Sequence, residues 1–241
     1  MLANGYVGKI LRIDLGTNDI KEDTLNETLI KNFLGGLGIG SKILYDELPE
    51  KADPLSSDNI LIFMTGPLTG TDVIMSGRHT VISKSPLTGI LGYASCGGYF
   101  GYYLKKCGYD GIVIKGSSES PVYLSINEDN KNIEKAEELW NKPISFLKKF
   151  VKEKINYDYF TGIGPAGEKL VRIASIVDMD QRNAGRTGLG AVMGSKKLKM
   201  IAVKGNKEIK VKDKEGIKEL NKKCIKEANE NFVKKMLLDN Y

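Results

Sequence analysis

The 241-residue chain has one histidine and three cysteines. Cys96, Cys107 and Cys224 lie far apart and form neither a Cys-x-x-Cys pair nor a disulfide framework. With His79 the single histidine, the chain is expected to assemble neither a zinc nor an iron–sulfur site by itself. Any redox metal is therefore expected to arrive with a cofactor or from another chain. No apolar run approaches the roughly 20 residues of a membrane-spanning helix. The opening MLANGYVGKI also lacks the basic and apolar regions of a signal peptide. The expectation is a cytoplasmic protein with no membrane partner. Acidic residues are outnumbered, 30 against 36 basic, for a net charge of +6. Much of the excess lies between Lys204 and Tyr241, where eleven lysines face seven acidic residues. That mixed-sign stretch reads as a solvated helical face and not as a phosphate-tracking stripe, so no nucleic-acid partner is expected.

What the chain does have is glycine, 27 residues of it. Two stretches stand out: Gly77 to Gly101, GRHTVISKSPLTGILGYASCGGYFG, and Arg182 to Ser195, RNAGRTGLGAVMGS. Glycine admits close backbone approach and positive φ, and arginine offers a planar fork of donors suited to phosphate oxygens. Two such loops point to a large polyanionic cofactor held by backbone and guanidinium groups. Ser95-Cys96-Gly97-Gly98 precedes a helix expected over Tyr99 to Cys107, whose free N–H groups would favour an anion.

Alternation in Gly8 to Leu15 predicts a strand, turned by Thr17-Asn18-Asp19 into a hairpin partner from Ile20. Helices are expected over Asn26 to Leu34, Gly40 to Leu48, Ile144 to Glu153 and part of Thr187 to Lys197. Further strands are expected at Ile60 to Thr65, Thr80 to Lys84, Gly111 to Lys115, Val122 to Asn127, Leu170 to Val177 and Lys199 to Lys204. Many strands with few long helices argue for an α+β fold. Pro-Leu-Thr-Gly occurs at Pro67 to Gly70 and again at Pro86 to Gly89, which marks either a duplicated unit or two similar turns. Residues 1–206 form one expected domain. The lysine- and glutamate-rich stretch from Lys207 to Leu238 reads as the start of a second, helical domain, truncated at Tyr241.

Gly35 to Gly40, GGLGIG, lacks the G-x-G-x-x-G pattern and follows a helix, which predicts a close-packed turn instead of a nucleotide loop. In Gly190 to Lys196 the serine precedes the lysine and the spacing is wrong for a P-loop. Cys96 has no evident base beside it for nucleophilic catalysis. His79 reads as an ordinary strand residue.

Taken together, TGPLTG, GRHTVISKSPLTG, GGYFG, GYDGIVIKG, IGPAGE and AGRTGLGAVMGSK, running in order up to about Gly205, resemble the N-terminal domain of the tungsten-dependent aldehyde ferredoxin oxidoreductases. The resemblance implies an α+β unit of two intertwined β-sheet-containing repeats. It implies a base for a tungstopterin, a bis-molybdopterin carrying tungsten or molybdenum through dithiolene sulfurs, with no protein ligand to the metal. The family's pterin-contacting positions fall on Arg78, Gly97, Arg182, Ala184 and Gly185. A magnesium ion between the pterin phosphates would lie near Ser95 and Asn183; the family's asparagine is serine at the first of these, which leaves a backbone carbonyl as the alternative contact. Four cysteines for a [4Fe–4S] cluster and the acid/base residues belong to further domains or a partner subunit, not to this chain. The implied activity is oxidation of a small aldehyde with ferredoxin as acceptor, in a possible homodimer; relatives that reduce aromatic acyl thioesters share the domain. The alternative is a non-enzymatic carrier of the pterin cofactor.

Overall fold

The computed structural model of the chain describes residues 4–230. In the first half, β1 (Lys9–Asp14) and β2 (Asp19–Thr24) pair as the expected hairpin, with Asn18 at φ 59° in its turn. α1 (Glu27–Phe33) is capped by Asn26, whose side chain accepts from the Leu29 amide. α2 (Gly36–Glu47) follows directly and packs on β3 (Leu61–Thr65) and β4 (His79–Lys84). β5 (Leu91–Cys96) runs back along β4. The short α3 (Phe100–Lys106) then leads to β6 (Gly111–Lys115), which is parallel to β1 and antiparallel to β3. The sheet order is β2-β1-β6-β3-β4-β5.

The second half contains β7 (Val122–Asn127), β8 (Lys131–Lys135), α4 (Ile144–Phe150), β9 (Tyr159–Gly162) and α5 (Pro165–Glu168). It continues with β10 (Ile176–Asp178), β11 (Asn183–Ala184), α6 (Leu189–Ser195) and β12 (Leu198–Lys204). Its sheet order is β11-β10-β9-β12-β7-β8. Counted within each half, both sheets have the same order. In each, the first strand makes a hairpin with the second and lies parallel to the sixth. The sixth is antiparallel to the third, and the third, fourth and fifth form a meander. The chain is thus an α+β fold of two six-stranded mixed sheets, as expected, with duplicated topology.

The larger core cluster draws on both sheets, with Phe63, Phe100, Phe160 and Met193 fully buried in it; each such side chain contributes about 1.5–3 kcal/mol by leaving water. A second cluster joins α1 and α2 to the other face of the first sheet through Ile39, Ile43, Ile62 and Ile82. α3 and α6 touch strands of both sheets. Three lysines are buried, one within each half and one, Lys196, reaching from the second half into the first. Lys105 pairs with Asp110 at 3.4 Å, Lys199 pairs with Glu168, and Lys196 donates to the carbonyls of Asn59 and Gly116 at 2.5 and 2.9 Å. Lys196 therefore points into the core and not toward a phosphate.

Three expectations are corrected. Both Pro-Leu-Thr-Gly turns lie in the first half, one after β3 and one after β4, so they are similar turns and not the mark of the duplication. GGLGIG opens α2 instead of forming a separate turn; an added Cβ at Gly40 would fall 2.6 Å from Ile82 Cδ1, which is how the helix lies so close to β4. The strand expected over Leu170 to Val177 is confined to its end, β10, because Leu170 sits at φ 57° and Val171 and Ile173 are exposed. The C-terminal helix α7 (Lys214–Glu230) has no buried residue; the remainder of the expected helical stretch lies outside the described residues.

Candidate functional site

The fifth strand of each half ends in a glycine-bearing turn that feeds a short helix: β5 through Gly97-Gly98 into α3, and β11 through Gly185 and Gly188 into α6. β11 packs on β5, so the two turns come together at the junction of the sheets. The duplication therefore places two chemically similar loops, ninety residues apart in sequence, at one surface.

The residues singled out from sequence gather there. Arg78 immediately precedes β4 and is exposed; Ser95 is exposed near the end of β5, with its hydroxyl 3.5 Å from that of Thr80. An added Cβ at Gly97 would meet nothing nearer than Arg182 Cγ, at 4.0 Å, so the backbone here is open to close approach. Arg182, Asn183 and Gly185 are exposed around β11, and Asn183 donates its amide to the Gln181 carbonyl at 3.1 Å. Ala184 is fully buried and pairs with Ile176, so the structure does not expose it at this surface. Among the described residues, neither the Arg78 nor the Arg182 guanidinium has a hydrogen-bond or ion-pair partner, whereas Arg12 has Asp23 and Glu47. Both free guanidinia lie near enough to favour the charged form of the Cys96 thiol, although burial outweighs them and raises its pKa strongly.

Gly98 serves a different end. It sits at φ +86°, and an added Cβ would fall 2.6 Å from Tyr159 Oη and 3.1 Å from Asp178 Oδ2. Here the positive φ and the close approach both demand glycine. The Tyr159 hydroxyl donates to Asp180 at 2.9 Å, and its ring meets those of Tyr99 and Tyr103. α3 has seven residues and no side-chain cap, too short for its dipole to dominate the site. Gly190 and Gly194, in the second glycine-rich stretch, are packing residues. An added Cβ at Gly194 would meet the Gly167 carbonyl oxygen at 2.0 Å, which brings IGPAGE and GAVMG together.

Beneath the turn lies a group that sequence reasoning missed. His79, Cys96 and Asp178 are buried, and a potential ligand atom of each lies within 4.8 Å of the others. Burial holds the His79 imidazole down to about 3 and pushes the Asp178 carboxyl up to about 8, the latter aided by the Asp180 charge. Nothing in one sequence marks Asp178 as special. Its only signal is its place four residues before Arg182 in the second loop.

The chain matches the family model for the aldehyde ferredoxin oxidoreductase N-terminal domain over residues 10–205. It is 48% identical over 205 residues to a tungsten-containing aldehyde ferredoxin oxidoreductase of Pyrococcus horikoshii, a match covering 84% of this chain and 34% of that protein. Its counterpart in Pyrococcus abyssi is 49% identical with the same coverage. The WOR-like subunit of an aliphatic sulfonate oxidoreductase of Pyrococcus furiosus is 40% identical over 219 residues, covering 83% of this chain and 35% of that protein. Among solved structures, a chain of the active-site complex BamBC of benzoyl coenzyme A reductase, in complex with 1,5-dienoyl-CoA, matches with a TM-score of 0.91 and 35% identity. That match covers 95% of this chain and 36% of the other. The chain spans about a third of the length of the curated relatives it matches. From the duplicated fold and these matches together, the chain belongs to the aldehyde ferredoxin oxidoreductase family and carries its N-terminal domain.

Proposed function

We propose that residues 1–206 form the cofactor-holding domain of a tungsten or molybdenum bis-pterin oxidoreductase that converts small aldehydes to carboxylic acids and passes electrons to ferredoxin. One observation carries the reading: two arginines without partners, Arg78 and Arg182, flank paired glycine turns on a single exposed surface. The donor set suits a pterin bearing phosphates. Guanidinium forks match phosphate and heterocycle edges, the open backbone at Gly97 and the exposed Gly185 suit a flat ring system, and Ser95 and Asn183 add neutral oxygens suited to magnesium.

When bound, the metal–pterin group supplies the two-electron chemistry at carbon and releases the electrons singly. The residues of this chain bind and orient it. Arg78 and Arg182 would neutralise its charge, the Gly97 and Gly185 backbone would contact it with Ala184 buried beside Gly185, and Ser95 with Asn183 would hold the magnesium. In this reading a [4Fe–4S] cluster, the acid/base residues and the aldehyde pocket belong to further domains or a partner subunit. α7 begins the helical part, and the assembly is a cytoplasmic homodimer. That the named relatives are oxidoreductases favours an enzyme over a cofactor carrier.

The test is Arg78→Ala combined with Arg182→Ala in the full-length protein, purified anaerobically and assayed for tungsten and molybdenum by elemental analysis. The double variant is expected to lose most of its metal while keeping the wild-type circular dichroism spectrum. Full metal occupancy in the variant would refute the assignment.

A further inference from the structure

Seven buried side-chain polar atoms among the described residues have no hydrogen-bond partner, and five of them belong to His79, Thr161 and Asp178. They are both imidazole nitrogens, the Thr161 hydroxyl and both Asp178 carboxyl oxygens. Each unpaired buried group costs about 1–3 kcal/mol, and native interiors rarely leave several together without a reason. Their concentration at one point implies something that satisfies them jointly.

The strand registers explain the convergence. His79 begins β4 and pairs directly with Cys96, the last residue of β5, so imidazole and thiol project from the same face of the first sheet. Asp178 ends β10 in the second sheet and pairs with Thr161 of β9, which sets the threonine hydroxyl beside the carboxyl group. Three strands from two sheets thus bring one nitrogen, one sulfur and one oxygen to within 4.8 Å of one another. A tetrahedral zinc site with bonds of about 2.0–2.3 Å places its ligand atoms roughly 3.3–3.8 Å apart. Loading therefore draws the three ligand atoms in by about 1 Å.

We propose that His79, Cys96 and Asp178 bind a divalent transition-metal cation of the borderline class, zinc or ferrous iron, which ties the two sheets together beneath the glycine turn. The mixed nitrogen, sulfur and oxygen donors select this class over magnesium or calcium. A neutral imidazole donates a lone pair, and loading releases the Cys96 thiol proton and the Asp178 carboxyl proton to solvent. Thr161 donates to the carboxylate and orients it, as outer partners of metal ligands do. Three protein ligands leave the fourth position to a water. Gly98 roofs the site, since an added Cβ would come within 3.1 Å of Asp178 Oδ2. The cation is held by core side chains alone, so its presence does not depend on the pterin assignment.

The test uses the full-length protein, stripped with a chelator, loaded with zinc alone and washed. Zinc is then counted by elemental analysis and its neighbours read by zinc K-edge X-ray absorption, which other bound metals do not disturb. The expected result is one sulfur at about 2.3 Å and two or three nitrogen or oxygen neighbours at about 2.0–2.2 Å. Cys96→Ser removes the sulfur neighbour, and Cys107→Ser retains it. If Cys96→Ser does not fold, Asp178→Asn keeps the thiol and nearly the same volume, and is expected to weaken zinc affinity at least tenfold. No zinc retained by the folded wild-type protein, a zinc site without sulfur, or a sulfur neighbour that persists in Cys96→Ser would each overturn the proposal. So would unchanged affinity in Asp178→Asn.

Discussion

The two halves share one strand order and differ in how each builds its meander. In the first half the fourth and fifth strands have six residues each, and β5 alternates between exposed and buried positions, as a full edge strand does. In the second the corresponding strands shrink to three residues and two, and the saved length is spent on turns. The first half therefore offers a ladder, with Thr80, Ser95 and the Gly97 backbone at its rim. The second offers a donor-rich loop, Arg182 to Gly185, laid against that rim. A duplicated scaffold has diverged where its copies meet, while the hairpins and the central parallel pairs stayed alike. The site depends on that divergence, because two full ladders would leave no room for the loop.

The comparison is broken most severely at the glycines that permit each turn. Gly188 lies at φ +71°, and an added Cβ would sit 2.0 Å from the Arg172 carbonyl oxygen. Backbone meets backbone there and neither side can swing away. Gly188→Ala is expected to cost about 4 kcal/mol or more, seen as loss of the folded baseline in denaturant unfolding. Gly98→Ala shares the positive φ, but its nearest obstacle is the tip of the Tyr159 side chain, at 2.6 Å. Its expected cost is about 1–3 kcal/mol. Equal costs at the two positions would mean that the second turn is no tighter than the first.

Sequence reasoning found the strands that are apolar enough to declare themselves, β3, β6, β7 and β12, because a central strand buried on both faces reads as a continuous run. It singled out both arginine- and glycine-bearing loops, which the fold brings to one surface, because arginine beside glycine has few purely structural uses. It missed β5, whose Gly92, Ala94 and Ser95 read as loop; pairing with β4, not composition, makes that segment a strand. It missed β8 and β9 for the same reason, one being polar and the other four residues long. It placed a strand across Leu170 to Val177 because apolar residues recur there, yet Val171 and Ile173 face solvent. The duplication was hidden because it lives in strand order, which only the ladders reveal. The same holds for the His79, Cys96 and Asp178 group, whose members come from both sheets.

A second contrast concerns the buried lysines. Lys199 in the second half neutralises Glu168, whose other partner is a single backbone amide, that of Asn141. Lys105 in the first half neutralises Asp110, which also accepts from the Val7 and Gly8 amides. Lys199→Met strands a nearly unsupported buried carboxylate and is expected to cost about 3–5 kcal/mol. Lys105→Met leaves its carboxylate two backbone donors, and about 1–3 kcal/mol is expected. Chemical denaturation of the two variants under one buffer ranks them. The reverse order would show that backbone donors do not substitute for the ammonium.

The smallest effect concerns a place where the two hairpins exchange a charge. Glu22 on β2 pairs with Lys9 of its own hairpin at 2.6 Å and with Lys131 of β8 at 3.2 Å, and it accepts the Tyr109 hydroxyl. The hydrogen bonds from Lys9 and Tyr109, followed by Lys131, draw its carboxyl from the ordinary 4.5 down to about 2. A carboxylate with a depressed folded-state pKa contributes stability that is complete above 4.5 and is lost as the pH falls toward 2. Because the side chain is one-third exposed, water screens the contribution to less than about 1 kcal/mol. Glu22→Gln should therefore match the wild type in acid and fall below it only above that window. Lys131→Ala separates the two sources of the effect. If the acid limb survives that substitution unchanged, the carboxylate is held within its own hairpin and the halves are joined there by packing alone. If the limb shallows, the duplicated hairpins are coupled by charge, and repulsion between Lys9 and Lys131 on the loss of Glu22 should then weaken the junction of the sheets as salt is lowered.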